Sequence, residues 1–412
     1  MKQLFIHCAP NVTQSALLED GRLTEFSVEQ VEGTSLIGNL YKGRVVNVLP
    51  GMQAAFVDIG LPKNAFLYVD DVLHPHLDKQ PKEKPPIAEL LKPGDELLVQ
   101  IMKEPLGGKG ARVTTHFSIP GRWLVYMPNA DYIGISKKIE LDTERIRLKM
   151  LAEDIRLEDE GVIMRTNAEG ESMEALEEDL SALRTLWHNV LERSAGTIAP
   201  KELHRDFRLV YRIIRDVVSP DTEQLIIDED NCLLEVKAYL RQTSPFLEEK
   251  ASLYRDNQPM FDKFGIKEQL DRAFQSRIRL ESGGDLVWDQ TEALTVIDVN
   301  TGKFIGTTDL EETVFLTNLE AAEEIARLLR LRDVGGIIIV DFIDMETEEH
   351  RQQVVQKLEA TVRKDRTKCQ VIGWTRLGLL EITRKKARQS VSSYFLEACP
   401  TCKGQGKISL KY

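Results

Sequence analysis

A chain of 412 residues with a formal net charge of −12, 42% hydrophobic and 29% charged residues, has a globular composition and exceeds one ordinary core, which suggests about three structural units. The acidic balance argues against a protein that coats nucleic acid by bulk electrostatics, because that mode needs Lys and Arg to displace counterions from phosphates; any such contact must be local. No apolar run reaches the ~18 residues of a membrane helix, MKQLFIHCAP reads as a first strand rather than a signal peptide, and five cysteines (Cys8, Cys232, Cys369, Cys399, Cys402) are too scattered for a disulfide framework, which favours a reducing cytoplasm.

Residues 36 to about 118 predict a small β-barrel. YKGRVVNVLPGMQAAFVDIG and KNAFLYVDDV supply its first strands, DELLVQIMKEP and GARVTTHFSI its last, and the Pro- and Lys-rich HPHLDKQPKEKPPIAELL is a loop inserted between them. WLVYMPNADYIGIS continues as strand, Asp142 to Glu158 as a charged helix, GVIMRT as a short strand, and ESMEALEEDLSALRTLWHNVLERSAG as a helix stopped by Gly. Residues 205 to 275 mix LVYRIIRDVV, a strand EQLIID, and helices around Ala238 and Leu270. The basic clusters Lys137, Lys138, Arg145, Arg147, Lys149 and Arg384, Lys385, Lys386, Arg388 read most simply as solvated faces.

The last third reads strand, helix, strand: TEALTVIDVN, a helix from about Asp309 to Arg332, then GGIIIVDFIDM. Leu310, Val314, Ala321, Ile325 and Leu328 or Leu329 share one helical face, with Thr307 or Thr308 as a cap. Two strands joined by a crossover helix lie parallel and end on one sheet edge, where α/β folds place their sites. Asp298 and Asp341 then emerge together, with Asn300 two residues on and on the same side as Asp298. Carboxylate and carboxamide oxygens suit Mg²⁺, which takes one or two protein carboxylates besides water and phosphate. Asp344, in the following turn, is a weaker candidate whose simpler role is structural.

Cys399 and Cys402 in CPTCKGQG have zinc-knuckle spacing. A structural zinc ion takes four ligands, so Cys8, Cys232, Cys369, a His, or a second copy of the chain must complete the site; a shared site implies a dimer. In the barrel, Phe56 and Phe66 follow strand-like runs and Lys109 sits in GGKG. Such barrels stack single-stranded bases on aromatic faces beside a positive groove, although composition alone assigns either Phe to the core.

Taken together, GNLYKGRVVNVLPGMQAAFVDIG, GGKGARVTT, VIMRT, SGGDLVWDQTEALTVIDVNTG, NLEAAEEIARLLRLRDVGGIIIVDFIDM and CPTCKGQG resemble the ribonuclease E/G family over essentially the whole chain, and PLGGKGAR leans towards its ribonuclease G branch. The resemblance implies a multi-domain α+β and α/β protein. In it, an S1-type OB-fold barrel (36–118) is inserted in a ribonuclease-H-like subdomain (1–35 and 211–274). A 5′-sensor subdomain (119–210), a deoxyribonuclease-I-like catalytic subdomain (275–396) and a zinc link (397–412) complete the chain. It implies that Asp298 and Asp341, with Asn300, bind catalytic magnesium, and that Phe56, Phe66 and Lys109 grip RNA. Arg165 and Thr166, with Gly121, Val125 and Arg376, would bind a 5′-monophosphate, and Cys399 and Cys402 would bind a structural zinc ion shared by a homodimer.

The expected activity is Mg²⁺-dependent cleavage of single-stranded A/U-rich RNA in rRNA maturation and mRNA turnover, leaving 5′-phosphate and 3′-hydroxyl ends. A non-catalytic RNA-binding module is the alternative. Family members continue into a small C-terminal domain, whereas KISLKY ends ten residues after Cys402; the expectation is a chain truncated after the zinc link, without higher assembly.

Overall fold

A computed structural model describes residues 1–30, 35–73, 84–105, 108–205, 209–291, 293–302, 310–385, 391–397 and 399–402. They form a mixed α+β protein of two compact units, one of residues 1–30, 220–234 and 250–412, the other of residues 31–219 and 235–249.

The first unit holds two sheets. One orders Ala251–Leu253, Thr222–Ile227, Lys2–Ala9, Val12–Glu19 and Arg22–Gln30 across its width. The other orders Arg277–Arg279, Asp285–Gln290, Leu294–Asn300, Gly336–Asp341, Leu380–Arg384 and Cys369–Trp374. The expected crossover helix is Leu310–Leu331. Val314, Ala321, Ile325, Leu328 and Leu329 are buried as its spacing predicts, but Leu310 is 76% exposed in the opening turn. Threonines 307 and 308 lie outside the described residues. The helix is also tied to the N-terminal sheet: Arg330 meets Glu19 at 2.9 Å and Glu25 at 2.6 Å, and Arg22 meets Glu324 at 2.6 Å. Burial opposes ionisation of Glu25, yet Arg366 and Arg330 hold its carboxyl below the usual range.

The second unit contains a closed, OB-like barrel of Leu40–Leu49, Ala54–Asp58, Ala65–Tyr68, Arg112–Thr114 and Glu96–Lys103, the first pairing with the last. Ala55, Val57, Ala65, Leu67, Val99 and Val113 fill its interior. Gly110 in GGKG is required sterically, because a Cβ there would overlap the Asn64 carbonyl. A second sheet orders Ile133–Ile135, Glu160–Met164, Leu124–Pro128 and Ile119–Pro120. It packs with helices Asp142–Ile155 and Met173–Ala195; the latter starts on Ser172, whose side chain accepts the Ala175 N–H, and stops at Gly196. LVYRIIRDVV contributes a helix, Leu209–Asp216.

Two sequence expectations change. Arg384 belongs to no solvated face: it is 4% exposed and bridges Asp365 at 2.7 Å and Asp333 at 2.6 Å, because its strand position points inward. Cys8 and Cys232, 224 residues apart, are brought side by side with Cα atoms 6.7 Å apart, a pairing made by tertiary folding that sequence spacing does not signal.

Candidate active site

Asp298 stands near the end of Leu294–Asn300 and Asp341 ends Gly336–Asp341; the two strands are parallel and the two aspartates are register partners. Alternation sends Thr295, Ile297 and Val299 into the core and leaves Val296, Asp298 and Asn300 on the open face. Adjacent strands lie ~4.8 Å apart, so both carboxylates share one small volume above the sheet. Partial burial, then the negative charges of Asp298 and Asp344, hold the Asp341 carboxyl above its ordinary range. A bound cation would relieve that repulsion.

Asn300 Nδ2 donates to Asp298 Oδ2 at 2.9 Å and so fixes the carboxylate's orientation. Beyond Asp341 the chain is pinned by the buried Asn318, which donates to the Ile343 carbonyl at 2.8 Å and accepts the Ile343 N–H at 3.1 Å. Among the described residues no cluster of three or more His, Cys, Asp or Glu forms a metal cage. The donor set of two carboxylates and a carboxamide still fits Mg²⁺, whose remaining positions go to water and phosphate.

The residues expected around the phosphate belong to both units. Gly121, Val125, Arg165 and Thr166 belong to the second unit and Arg376 to the first, where it is exposed in the turn between Cys369–Trp374 and Leu380–Arg384. Arg165 donates through Nη1 to the Gly121 carbonyl and through Nη2 to Asp216 Oδ1, both at 2.6 Å. Although burial disfavours its charge, the guanidinium groups of Arg165 and Arg215 bring Asp216 down to about 2. Thr166 Oγ1 shares a hydrogen bond with Ser136 Oγ at 2.8 Å. Gly121 is needed because a Cβ there would strike the Asp179 carboxylate, which accepts the N–H groups of Arg122, Trp123 and Leu124 at 3.2, 2.8 and 3.3 Å. Val125 lies half-buried in Leu124–Pro128.

On the barrel, Phe56 and Phe66 are register partners with ring centroids 6.1 Å apart, edge to face. Both are half-exposed while their strand neighbours Ala55, Val57, Ala65 and Leu67 are buried, so they point outward rather than into the core. Asn47 pairs with Phe56, and Arg112 with Phe66, giving the row Asn47, Phe56, Phe66, Arg112. Sequence reading missed Asn47 and Arg112; only the strand register exposes them. Lys109 is exposed on the loop that leads into Arg112.

Cys399 is exposed and Cys402 half-exposed, and both are free thiols. The backbone N–H groups of Cys402 and Thr401 lower the Cys399 thiol's pKa, as suits a metal-binding thiolate. Cys8 and Cys232 are engaged with each other, and burial pushes Cys369 up to about 11. Gly404 and Gly406 lie outside the described residues.

A closed barrel with outward aromatic side chains, in a chain whose six-stranded sheet around Leu294–Asn300 carries paired carboxylates, is the equipment of a protein that handles nucleic acid. The profile described as "Ribonuclease E/G family" matches residues 118–387. Ribonuclease G of Haemophilus influenzae is 46% identical over 413 residues, spanning 98% of this chain and 84% of its own. Ribonuclease G of Escherichia coli K12 is 42% identical over 415 residues with the same coverage. Ribonuclease E of Nostoc is 40% identical over 391 residues, 92% of this chain and 56% of its own. The chain belongs to the ribonuclease E/G family. Within that family it is more like ribonuclease G than ribonuclease E.

Proposed function

We propose that this endoribonuclease of the ribonuclease E/G type hydrolyses single-stranded, A/U-rich RNA with Mg²⁺, acts in rRNA maturation and mRNA turnover in the cytoplasm, and works faster on 5′-monophosphorylated RNA. Supporting this reading above all is the registered pair Asp298 and Asp341 at the C-terminal ends of two parallel strands. A divalent cation held there would neutralise charge on the scissile phosphate and lower the pKa of an attacking water. Asp298 and Asp341 hold the site, and Asn300 fixes the orientation of Asp298. Water adds to phosphorus, the bond to the 3′ oxygen breaks and that oxygen takes up a proton, which leaves a 3′-hydroxyl and a 5′-phosphate.

On this reading the barrel is S1-type and its row of Phe56 and Phe66 stacks bases, with Lys109 at a phosphate. Arg165 grips the terminal phosphate bidentately, as a guanidinium can at any physiological pH, aided by Thr166, Gly121, Val125 and Arg376. The N-terminal sheet is the ribonuclease-H-like part and the sheet bearing the aspartates the deoxyribonuclease-I-like part. Cys399 and Cys402 of two chains hold one Zn²⁺ and link a homodimer. Among the described residues, no helix is long and apolar enough to cross a membrane.

The test is cleavage of a short fluorescent A/U-rich RNA bearing a 5′-monophosphate or a 5′-hydroxyl, with Mg²⁺ and then with EDTA. Internal cuts that need Mg²⁺ and run faster on the monophosphate are expected. Binding without any cutting would replace the reading with a non-catalytic RNA-binding module.

A further inference from the structure

The open face of the sheet that carries Asp298 and Asp341 can be read row by row from its register. Arg277 pairs with Val287, Val287 with Asp298, and Asp298 with Asp341, so these four residues form one row across four strands on one face. One step along, Arg279 pairs with Asp285 and Asp285 with Asn300. Both arginines are exposed while Ile278 between them is buried, as alternation on an edge strand requires. Arg277 reaches Asp285 at 3.0 Å with its side chain still 70% exposed. Arg279 has no hydrogen-bond or ion-pair partner among the described residues.

Among the described residues, the adjoining row carries no cation. The row on the other side of the aspartates runs Asp289, Val296, Ile339, Glu381, and Ile337 beyond it is 52% exposed. A polyanion seated over Asp298 and Asp341 therefore meets carboxylates and hydrocarbon in the adjoining row and two guanidinium groups towards the Arg277–Arg279 strand, while the exposed Arg376 stands in the turn on the opposite side, beyond Asp341. The lateral gap from the Arg277–Arg279 strand to the Asp298 strand is two strand spacings, about 10 Å, part of which the long arginine side chains close.

We infer that Arg277 and Arg279 form a cationic subsite for the RNA phosphodiester next to the scissile one, so that the strand leaves the carboxylate pair towards this edge. Arg279 is the principal contact, and Arg277, partly neutralised by Asp285, the lesser. The inference rests on the proposed cleavage site for its orientation, but the contact itself is a binding property.

The experiment uses the full chain, with R279A, R279E and R277A/R279A beside wild type. Cleavage kinetics on a short A/U-rich single-stranded RNA are measured with Mg²⁺, and binding of the same RNA is measured in EDTA over a salt series. The expected result is a roughly tenfold loss in kcat/KM for R277A/R279A, carried by KM, and a larger loss for R279E. The slope of log affinity against log salt should fall by ~0.7 for each arginine removed, the single-strand increment per phosphate contact. Thermal melts report whether each variant folds, and R279A, altering an exposed side chain with no partner among the described residues, keeps the test open should the double variant melt early. Wild-type KM and an unchanged salt slope in R279A and the double variant would overturn the subsite. Loss of slope in variants of a wild type that never cuts would leave the subsite standing and remove the cleavage reading.

Discussion

Asp216→Asn separates two consequences of the same ion pair. Asp216 lies between Arg165 and Arg215, at 2.6 Å from one and 3.1 Å from the other, and its pKa falls from an ordinary 3.8 to about 2. A depressed carboxyl pKa contributes stability above the unfolded value, and that contribution is lost as pH falls through the folded one. At 1.36 kcal/mol per unit the carboxylate contributes ~2.5 kcal/mol at pH 7, about half of that at pH 3, and little at pH 2. For a unit of this size that is a drop of ~5–10 °C in Tm at neutral pH.

The measurement is paired thermal melts of wild type and Asp216→Asn at pH 7, 4 and 3. The gap should be widest at pH 7 and narrow steadily with acid. In parallel, the preference for 5′-monophosphate over 5′-hydroxyl RNA should shrink several-fold, since Arg165 loses the partner that fixes its plane. A gap that stays constant from pH 7 to pH 3 would refute the reasoning, because it would mean that the variant removed packing rather than a charge held by two arginines.

Asp341→Asn should abolish cleavage yet raise the metal-free Tm by ~1–3 °C. Its carboxyl is held high by partial burial and by Asp298, and opposed like charges on neighbouring strands cost ~0.2–1 kcal/mol; Mg²⁺ should stabilise wild type and not this variant in the same melts. Phe56→Ala and Phe66→Ala should each weaken RNA binding by ~1–3 kcal/mol, the worth of one stacked base, with little change in Tm because both rings are half-exposed; fluorescence anisotropy against melting separates the two effects. Cys399→Ser with Cys402→Ser should release zinc and sediment as monomer, and a persisting dimer would place the interface elsewhere.

What the sequence made legible follows from the range of each interaction. The strand, helix and strand around Asp298 and Asp341 carry their own periodicities, two for TVIDVN and GIIIVD and three to four for the helix between, so parallel pairing and a shared edge could be argued locally. The antiparallel neighbours that bring Arg277, Asp285 and Val287 beside them leave no such trace, since any exposed arginine on an edge strand looks alike until its register is known. Arg165 and Asp216 are 51 residues apart, and Asp216 sits at the end of a helix whose sequence, LVYRIIRD, gives no hint of a partner. Phe56 and Phe66 show the same limit in reverse: composition assigns them to the core, and only the burial of Ala55, Val57, Ala65 and Leu67 on the other face settles that they point out.

The placement of the acidic pair is in the end a property of the core beneath it. Asp341 alternates with Val340 and Ile338, both fully buried, so a slip of one residue in the pairing of Gly336–Asp341 would turn Asp341 inward and Val340 out. The slipped state buries an unpaired carboxylate, which costs several kcal/mol, and exposes apolar surface as well. No side chain at the site need enforce the alignment of the two carboxylates. The apolar residues that alternate with them disfavour every slip by an odd number of residues, and the buried Asn318, clamping both polar groups of Ile343, fixes the chain where the strand ends.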